Sequence, residues 1–136
     1  MTILVIDAQG GGVGKQLVTA IKQNIEGAYV LAVGTNSTAT TAMLKAGADE
    51  AATGENSVMV GCRKADIIVG PIGIIIADAL LGEVTPKMAL AVSQSNAKRI
   101  LIPFNHCDNI IVGIDDFSTG KLIKQAIDEI KKITDL

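Results

Sequence analysis

Four apolar runs, Ile3-Leu-Val-Ile6, Tyr29-Val-Leu-Ala-Val33, Ile67-Ile-Val69 and Ile100-Leu-Ile102, punctuate this chain, and none of them alternates with polar residues. A strand with one wet face alternates, whereas a strand that is apolar throughout is covered on both faces, as in a parallel sheet. Helical patterns fill the intervals. Leu17, Val18, Ile21 and Ile25 recur at helical spacing with Lys15, Gln16, Lys22 and Gln23 opposite them, the signature of an amphipathic helix. Residues 36–46 repeat the pattern with smaller side chains, and Gly47 supplies a helix stop. A short helix is expected over 56–64 and an unusually apolar one over 73–81. Thr85-Pro86, an N-cap followed by proline at the first helical position, begins another helix. After the Ile100 run, Ile110-Ile-Val112 reads as a short fifth strand, and Leu122, Ile123, Ala126, Ile127, Ile130 and Ile133 mark a terminal helix.

Strand and helix alternate, and crossovers between parallel strands are almost always right-handed. The economical architecture is therefore a doubly wound, mostly parallel, Rossmann-like three-layer α/β sandwich. With 136 residues and no linker or repeat, the chain reads as one domain over residues 1–136.

Composition narrows the function classes. Fourteen acidic against 12 basic side chains leave a formal charge of −2, so the cationic field that nucleic acid or an anionic membrane demands is missing. Tyr29, Phe104 and Phe117 are the whole aromatic complement, which removes base stacking as a recognition mode. The apolar stretch over 67–81 is interrupted by Pro71 and Asp78 and is shorter than the roughly 20 residues of a membrane span. The opening MTILVID has no basic leader and reads as a strand, so a cytoplasmic location is expected. Cys62 and Cys107 have no metal-type spacing and are expected as free thiols; no metal site is expected.

In doubly wound sheets ligands sit at the carboxyl ends of the strands. The first run ends in Asp7-Ala8-Gln9-Gly10-Gly11-Gly12-Val13-Gly14-Lys15 and passes straight into a helix. Glycines there let backbone N–H groups approach a ligand, and the helix terminus adds partial positive charge. Gly10, Gly11, Gly12, Val13, Gly14 and Lys15 are therefore candidate ligands for a phosphate or carboxylate. The G-x-G-x-x-G spacing is not met, because Lys15 stands where its last glycine belongs. The competing reading is a tight turn that needs glycine for backbone reasons alone. Asp7 is expected to accept backbone N–H bonds in that turn.

The second run ends in Gly34-Thr35-Asn36, without the acid that dinucleotide folds use for ribose hydroxyls. Thr35 and Asn36 are candidate ligand contacts, with helix capping the stronger role for Asn36. Gly70, Pro71 and Gly73 follow the third run and are expected to face the first loop across the cleft; Asn105 follows the fourth. Glu55, His106 and Cys107 are weak catalytic candidates. Glu55 has helix capping as its competing role, and Glu83 is weighed between the same two roles.

The glycine stretch resembles the modified Walker loop of partition-type ATPases at Gly11, Gly12, Gly14 and Lys15, but Gln16 replaces the magnesium-binding hydroxyl. ATP hydrolysis is not expected. More broadly, Asp7 to Lys15, Gly34-Thr35-Asn36, Ala52-Thr53-Gly54-Glu55-Asn56, Gly70-Pro71-Ile72-Gly73-Ile74 and Gly82-Glu83-Val84-Thr85-Pro86 together resemble a family of small bacterial proteins known as domain of unknown function 3842. That resemblance spans essentially the whole chain and implies a cytosolic bacterial origin without implying a reaction.

Three functional expectations follow. The leading one is a module binding a nucleotide or another small anionic metabolite at the glycine loop. The second is a reductase-like or transferase-like enzyme using NAD(P). The third is a non-catalytic sensor or assembly subunit. A helix over 73–82 apolar all round would need cover on several sides, so a homodimer through that segment is expected.

Overall fold

A computed structural model describes residues 1–103, 109–114 and 118–135. Its strands and helices alternate: β1 (Thr2–Asp7), α1 (Gly12–Asn24), β2 (Tyr29–Gly34), α2 (Ser37–Lys45), β3 (Glu50–Thr53), α3 (Glu55–Lys64), β4 (Ile67–Pro71), a 3-10 turn (Ile72–Ile75), α4 (Pro86–Gln94), β5 (Lys98–Ile102) and α5 (Thr119–Thr134). The strands form one sheet in the order β3-β2-β1-β4-β5, every pair parallel. This is the doubly wound architecture that the alternation predicts.

The unbroken apolar runs are buried on both faces. Ile3 and Val5 of β1 pack with Leu17 and Ile21 of α1, Met43 of α2 and Ile127 of α5. Leu4 and Ile6 point the other way, to Val58 of α3 and Met88 and Val92 of α4. Successive strand side chains face opposite sides, so one run serves two cores. Three helices cover one face and two cover the other, giving the three layers.

Local signals account for the starts of α2 and α4 and for the end of α2. Thr85 caps α4 by accepting the Met88 N–H at 3.2 Å, with Pro86 in the first helical position. Asn36 caps α2 by accepting from Ala39 N at 2.9 Å. Past the end of α2, Gly47 takes φ +113, a left-handed stop that suits glycine.

The sheet holds one strand the apolar runs do not mark, and two expectations are corrected. Glu50–Thr53 is an edge strand, paired through Leu31↔Glu50 to Gly34↔Thr53; its Glu-Ala-Ala-Thr sequence carries no aliphatic run because the edge is only half covered. Residues 110–112 are not a strand: Ile110 and Val112 are 91% and 93% exposed. The apolar 73–82 segment is not a helix but the end of the 3-10 turn followed by a run of turns. Asp78, Leu80 and Leu81 there adopt φ of 64, 58 and 58, incompatible with a right-handed helix. Ile74 and Ala79 enter the domain's own core, so the burial a helix would have required from a homodimer partner is largely met internally. Among the described residues no helix is long and apolar enough to cross a membrane.

Candidate functional site

Strand order reverses between β1 and β4, and a small cavity of about 160 Å³ opens at their carboxyl ends. It is lined by residues 7–13, Pro71 and Leu80. Pro71 at the end of β4 and Leu80 beyond it thus border the glycine turn, while Gly70 and Gly73 do not line the cavity.

The four glycines of the turn divide into two pairs. A Cβ on Gly11 would lie 2.8 Å from the Ala39 backbone, and one on Gly14 would lie 2.6 Å from the Met43 sulfur. These two let α1 pack against α2, and Gly11 also takes φ +75. Gly10 and Gly12 have nothing within 4 Å of a Cβ and no left-handed φ. The fold itself does not ask for glycine at either position.

The backbone donors divide likewise. Gly11 N bonds Ala8 O at 3.0 Å and Lys15 N bonds Gly11 O at 2.8 Å, while Gly14 N donates to Asp7 at 2.7 Å. The N–H groups of Gly10, Gly12 and Val13 have no acceptor among the described residues.

Beside this turn, between α1 and α2, a second and larger depression of about 450 Å³ is lined by Gly10, Lys15, Ser37, Thr38, Thr41 and Lys45. Two helix N-termini, two ammonium groups and three hydroxyls border it. Lys45, Thr41 and Thr38 were not singled out in the sequence, although their spacing places them on one face of α2.

Asp7 is buried beneath the turn, with Ala8 N at 2.8 Å on one oxygen and Gly14 N at 2.7 Å on the other. This is the turn role expected of it. Burial pushes its carboxyl above the ordinary 3.8, against the pull of those two amides, with the Glu83 charge adding to the rise.

Glu83 reaches the ends of β1 and β2. One of its oxygens accepts from Gln9 N at 2.8 Å, Thr35 Oγ1 at 2.8 Å and Asn36 Nδ2 at 2.7 Å. Burial alone would raise its carboxyl, but the Gln9, Thr35 and Asn36 bonds outweigh that and hold it below the ordinary 4.5. Thr35 and Asn36, proposed as ligand contacts, are thus engaged by the chain's own acid.

The two carboxylates act oppositely on stability. A lowered folded-state value makes the Glu83 contribution complete above the unfolded 4.5 and lost as pH falls through the folded value. A raised value makes the Asp7 contribution decline as pH climbs from 3.8 through the folded value. Glu83→Gln keeps an accepting oxygen without the charge, so its stability is expected to vary less across the acid range. The wild type should gain on it, by at most about 1 kcal/mol because solvent screens the group, as pH rises. Urea melts of both chains at a series of acid pH values check this.

The remaining candidates separate. Glu55 opens α3 without capping it; its carboxylate instead accepts the hydroxyl of Thr85, the α4 cap. A Cβ on Gly70 would lie 2.4 Å from the Ile6 carbonyl oxygen, so Gly70 is there for strand packing, and a Cβ on Gly73 would make ordinary contacts with Leu80 and Ala79. Pro71, the last residue of β4, lines the cavity. Cys62 is buried, and burial pushes its thiol up to about 11. Asn105, His106 and Cys107 lie outside the described residues. Among the described residues no group of three or more His, Cys, Asp or Glu side chains is gathered as a metal site.

The family model for domain of unknown function DUF3842 matches residues 2–135. The chain belongs to that family. It matches none of the curated proteins. Among solved structures it is similar to a dodecameric FMN-dependent Ubix-like decarboxylase from Escherichia coli O157:H7, with TM-score 0.48 and 13% identity over 100% of this chain and 95% of that one. A likeness that distant carries no argument about what this DUF3842 domain binds.

Proposed function

We propose that the domain binds a nucleotide or another small phosphorylated molecule, with its anionic group on the Gly10–Lys15 turn. One observation carries the reading: Gly10 and Gly12 have no steric reason to be glycine, and they stand beside three N–H groups without acceptors. A backbone that leaves donors unpaired at a helix N-terminus suits an anion. Lys15 and Lys45 border the adjoining depression and supply countercharge. The NAD(P) alternative is less well supported, because the end of β2, Gly34-Thr35-Asn36, carries no acid for the ribose hydroxyls. The reading is one of binding, since Asp7 and Glu55 are both occupied by the fold.

Pyrophosphate, ADP, GDP, NAD and NADP are the probes. A binding anion at 100 times its dissociation constant adds about 2.7 kcal/mol of stability, a rise on the order of 10 °C in melting temperature for a domain of this size. No rise with any probe at millimolar concentration would overturn the proposal.

A further inference from the structure

Three hydrogen-bond donors from two loops converge on a single oxygen of Glu83: Gln9 N, Thr35 Oγ1 and Asn36 Nδ2, at 2.7 to 2.8 Å. Donors so arranged around one negative oxygen are what a binding site offers a phosphoryl oxygen. Here the chain supplies the oxygen itself, one residue away from the unpaired Gly10 N–H.

The segment that delivers it is built to let go. Ala79 and Val84 are buried, at 6% and 1% exposure, and their backbones are tied by Val84 N→Ala79 O at 3.2 Å. Between these anchors stand four residues, 80–83. Leu80 and Leu81 both have φ 58 and Gly82 has φ 84; leucine rarely adopts that region. Leu81 is 98% exposed and holds nothing down. Leu80 walls the cavity above Pro71 and the glycine turn. The turn itself is held by Gly82 N→Asp78 O and Glu83 N→Leu80 O, both 3.2 Å, and Leu80 packs on the core, so the Glu83 carboxylate is the polar tie from this segment to the glycine turn and can leave its donors without unfolding the turn.

We propose that residues 80–83 are a latch in which the Glu83 carboxylate stands in for a ligand's phosphoryl oxygen, and that a phosphorylated ligand displaces it. The inference rests on the anion-binding reading above and deepens it: the same ligand that meets the Gly10–Lys15 turn takes over the Gln9, Thr35 and Asn36 donors. The glycine site is then self-occupied until a stronger anion arrives, and Glu83 sets the threshold.

Pyrophosphate is titrated calorimetrically into the wild type, Glu83→Gln, Glu83→Ala and Asp78→Asn, and amide hydrogen exchange is followed in the wild type. Asp78→Asn removes an exposed carboxylate from the same loop without touching the three donors, and asparagine tolerates its φ of 64. The expected result is about 10-fold tighter binding by Glu83→Ala, a smaller gain for Glu83→Gln, and less than about 2-fold change for Asp78→Asn. In the wild type, pyrophosphate should speed exchange over residues 80–84 while slowing it over 9–13. Equal gains in Asp78→Asn and Glu83→Gln would reduce Glu83 to a general charge effect and overturn the latch, as would unchanged exchange over 80–84 on binding. Binding by the wild type with no gain in either Glu83 variant overturns the latch and leaves the glycine-turn reading standing; binding by none of the four chains overturns both.

Discussion

Alanine at position 70 is expected to cost the domain about 3 kcal/mol or more, at the upper end of what overpacking does in a well-packed core. Gly70 lies in β4 where it runs against β1, just past the paired residues Val5↔Val69. A Cβ would lie 2.4 Å from the Ile6 carbonyl oxygen and 3.0 Å from Ile74 Cδ1. The isoleucine tip can rotate away. The carbonyl cannot, because it belongs to the buried stretch of a central strand whose two neighbours are β2 and β4. Relief therefore requires β1 and β4 to part at the switch point, beneath the glycine turn. A melting temperature lower by roughly 10 °C is the expected reading in a thermal scan. Gly10→Ala is the control: nothing stands within 4 Å of its Cβ, so stability should be unchanged or slightly raised. A loss under about 1 kcal/mol for Gly70→Ala would mean that the sheet yields more easily than close packing allows.

Gly12→Asp is expected to separate stability from binding. Gly12 is exposed, begins α1 and has open space beside it. A carboxylate in the first turn of a helix favours the helix by about 0.3–1 kcal/mol, so the melting temperature should hold or rise. The same carboxylate would sit among the unpaired N–H groups of Gly10, Gly12 and Val13. It would occupy them and repel an anion, an effect of about 4 kcal/mol for two charges 4 Å apart at an effective dielectric constant of 20. Pyrophosphate affinity should fall by about 100-fold or more, measured by calorimetry. Retained affinity in a fully folded Gly12→Asp would remove the glycine turn from the site, because no loss of structure would be available to explain the result.

The fold was legible because its signals are local. Apolar runs without alternation mark doubly buried strands, and the Asn36 and Thr85 caps place two helix starts. β3 was missed for a physical reason: an edge strand is held by its ladder to β2 and only half covered, so Ala51 and Ala52 satisfy it without a hydrophobic run. The 73–82 segment misled for the converse reason. Its isoleucines are apolar enough for a helix, but the backbone turns left-handed at Asp78, Leu80 and Leu81, and no local signal forces that in leucine.

At the site, composition and position showed that the β1–α1 turn is rich in glycine and that Asp7 stands at its foot. Which glycines serve the fold was not visible, since that depends on where Ala39, Met43 and the Ile6 carbonyl lie in space. Nor was the pairing of Glu83 with Thr35 and Asn36, which spans 47 to 48 residues of sequence.

By itself the amino-acid order determined the alternation of buried strands and amphipathic helices, the helix caps, and the presence of a glycine turn at the end of β1, because each depends on residues within a few positions of one another. The tertiary structure alone decided that Gly11, Gly14 and Gly70 are packing residues while Gly10 and Gly12 face open space, that Lys15 and Lys45 share one depression, and that Glu83 occupies the donors beside it. Those are distances between segments far apart in the chain, and they exist only once the sheet has brought the carboxyl ends of its strands to a common edge.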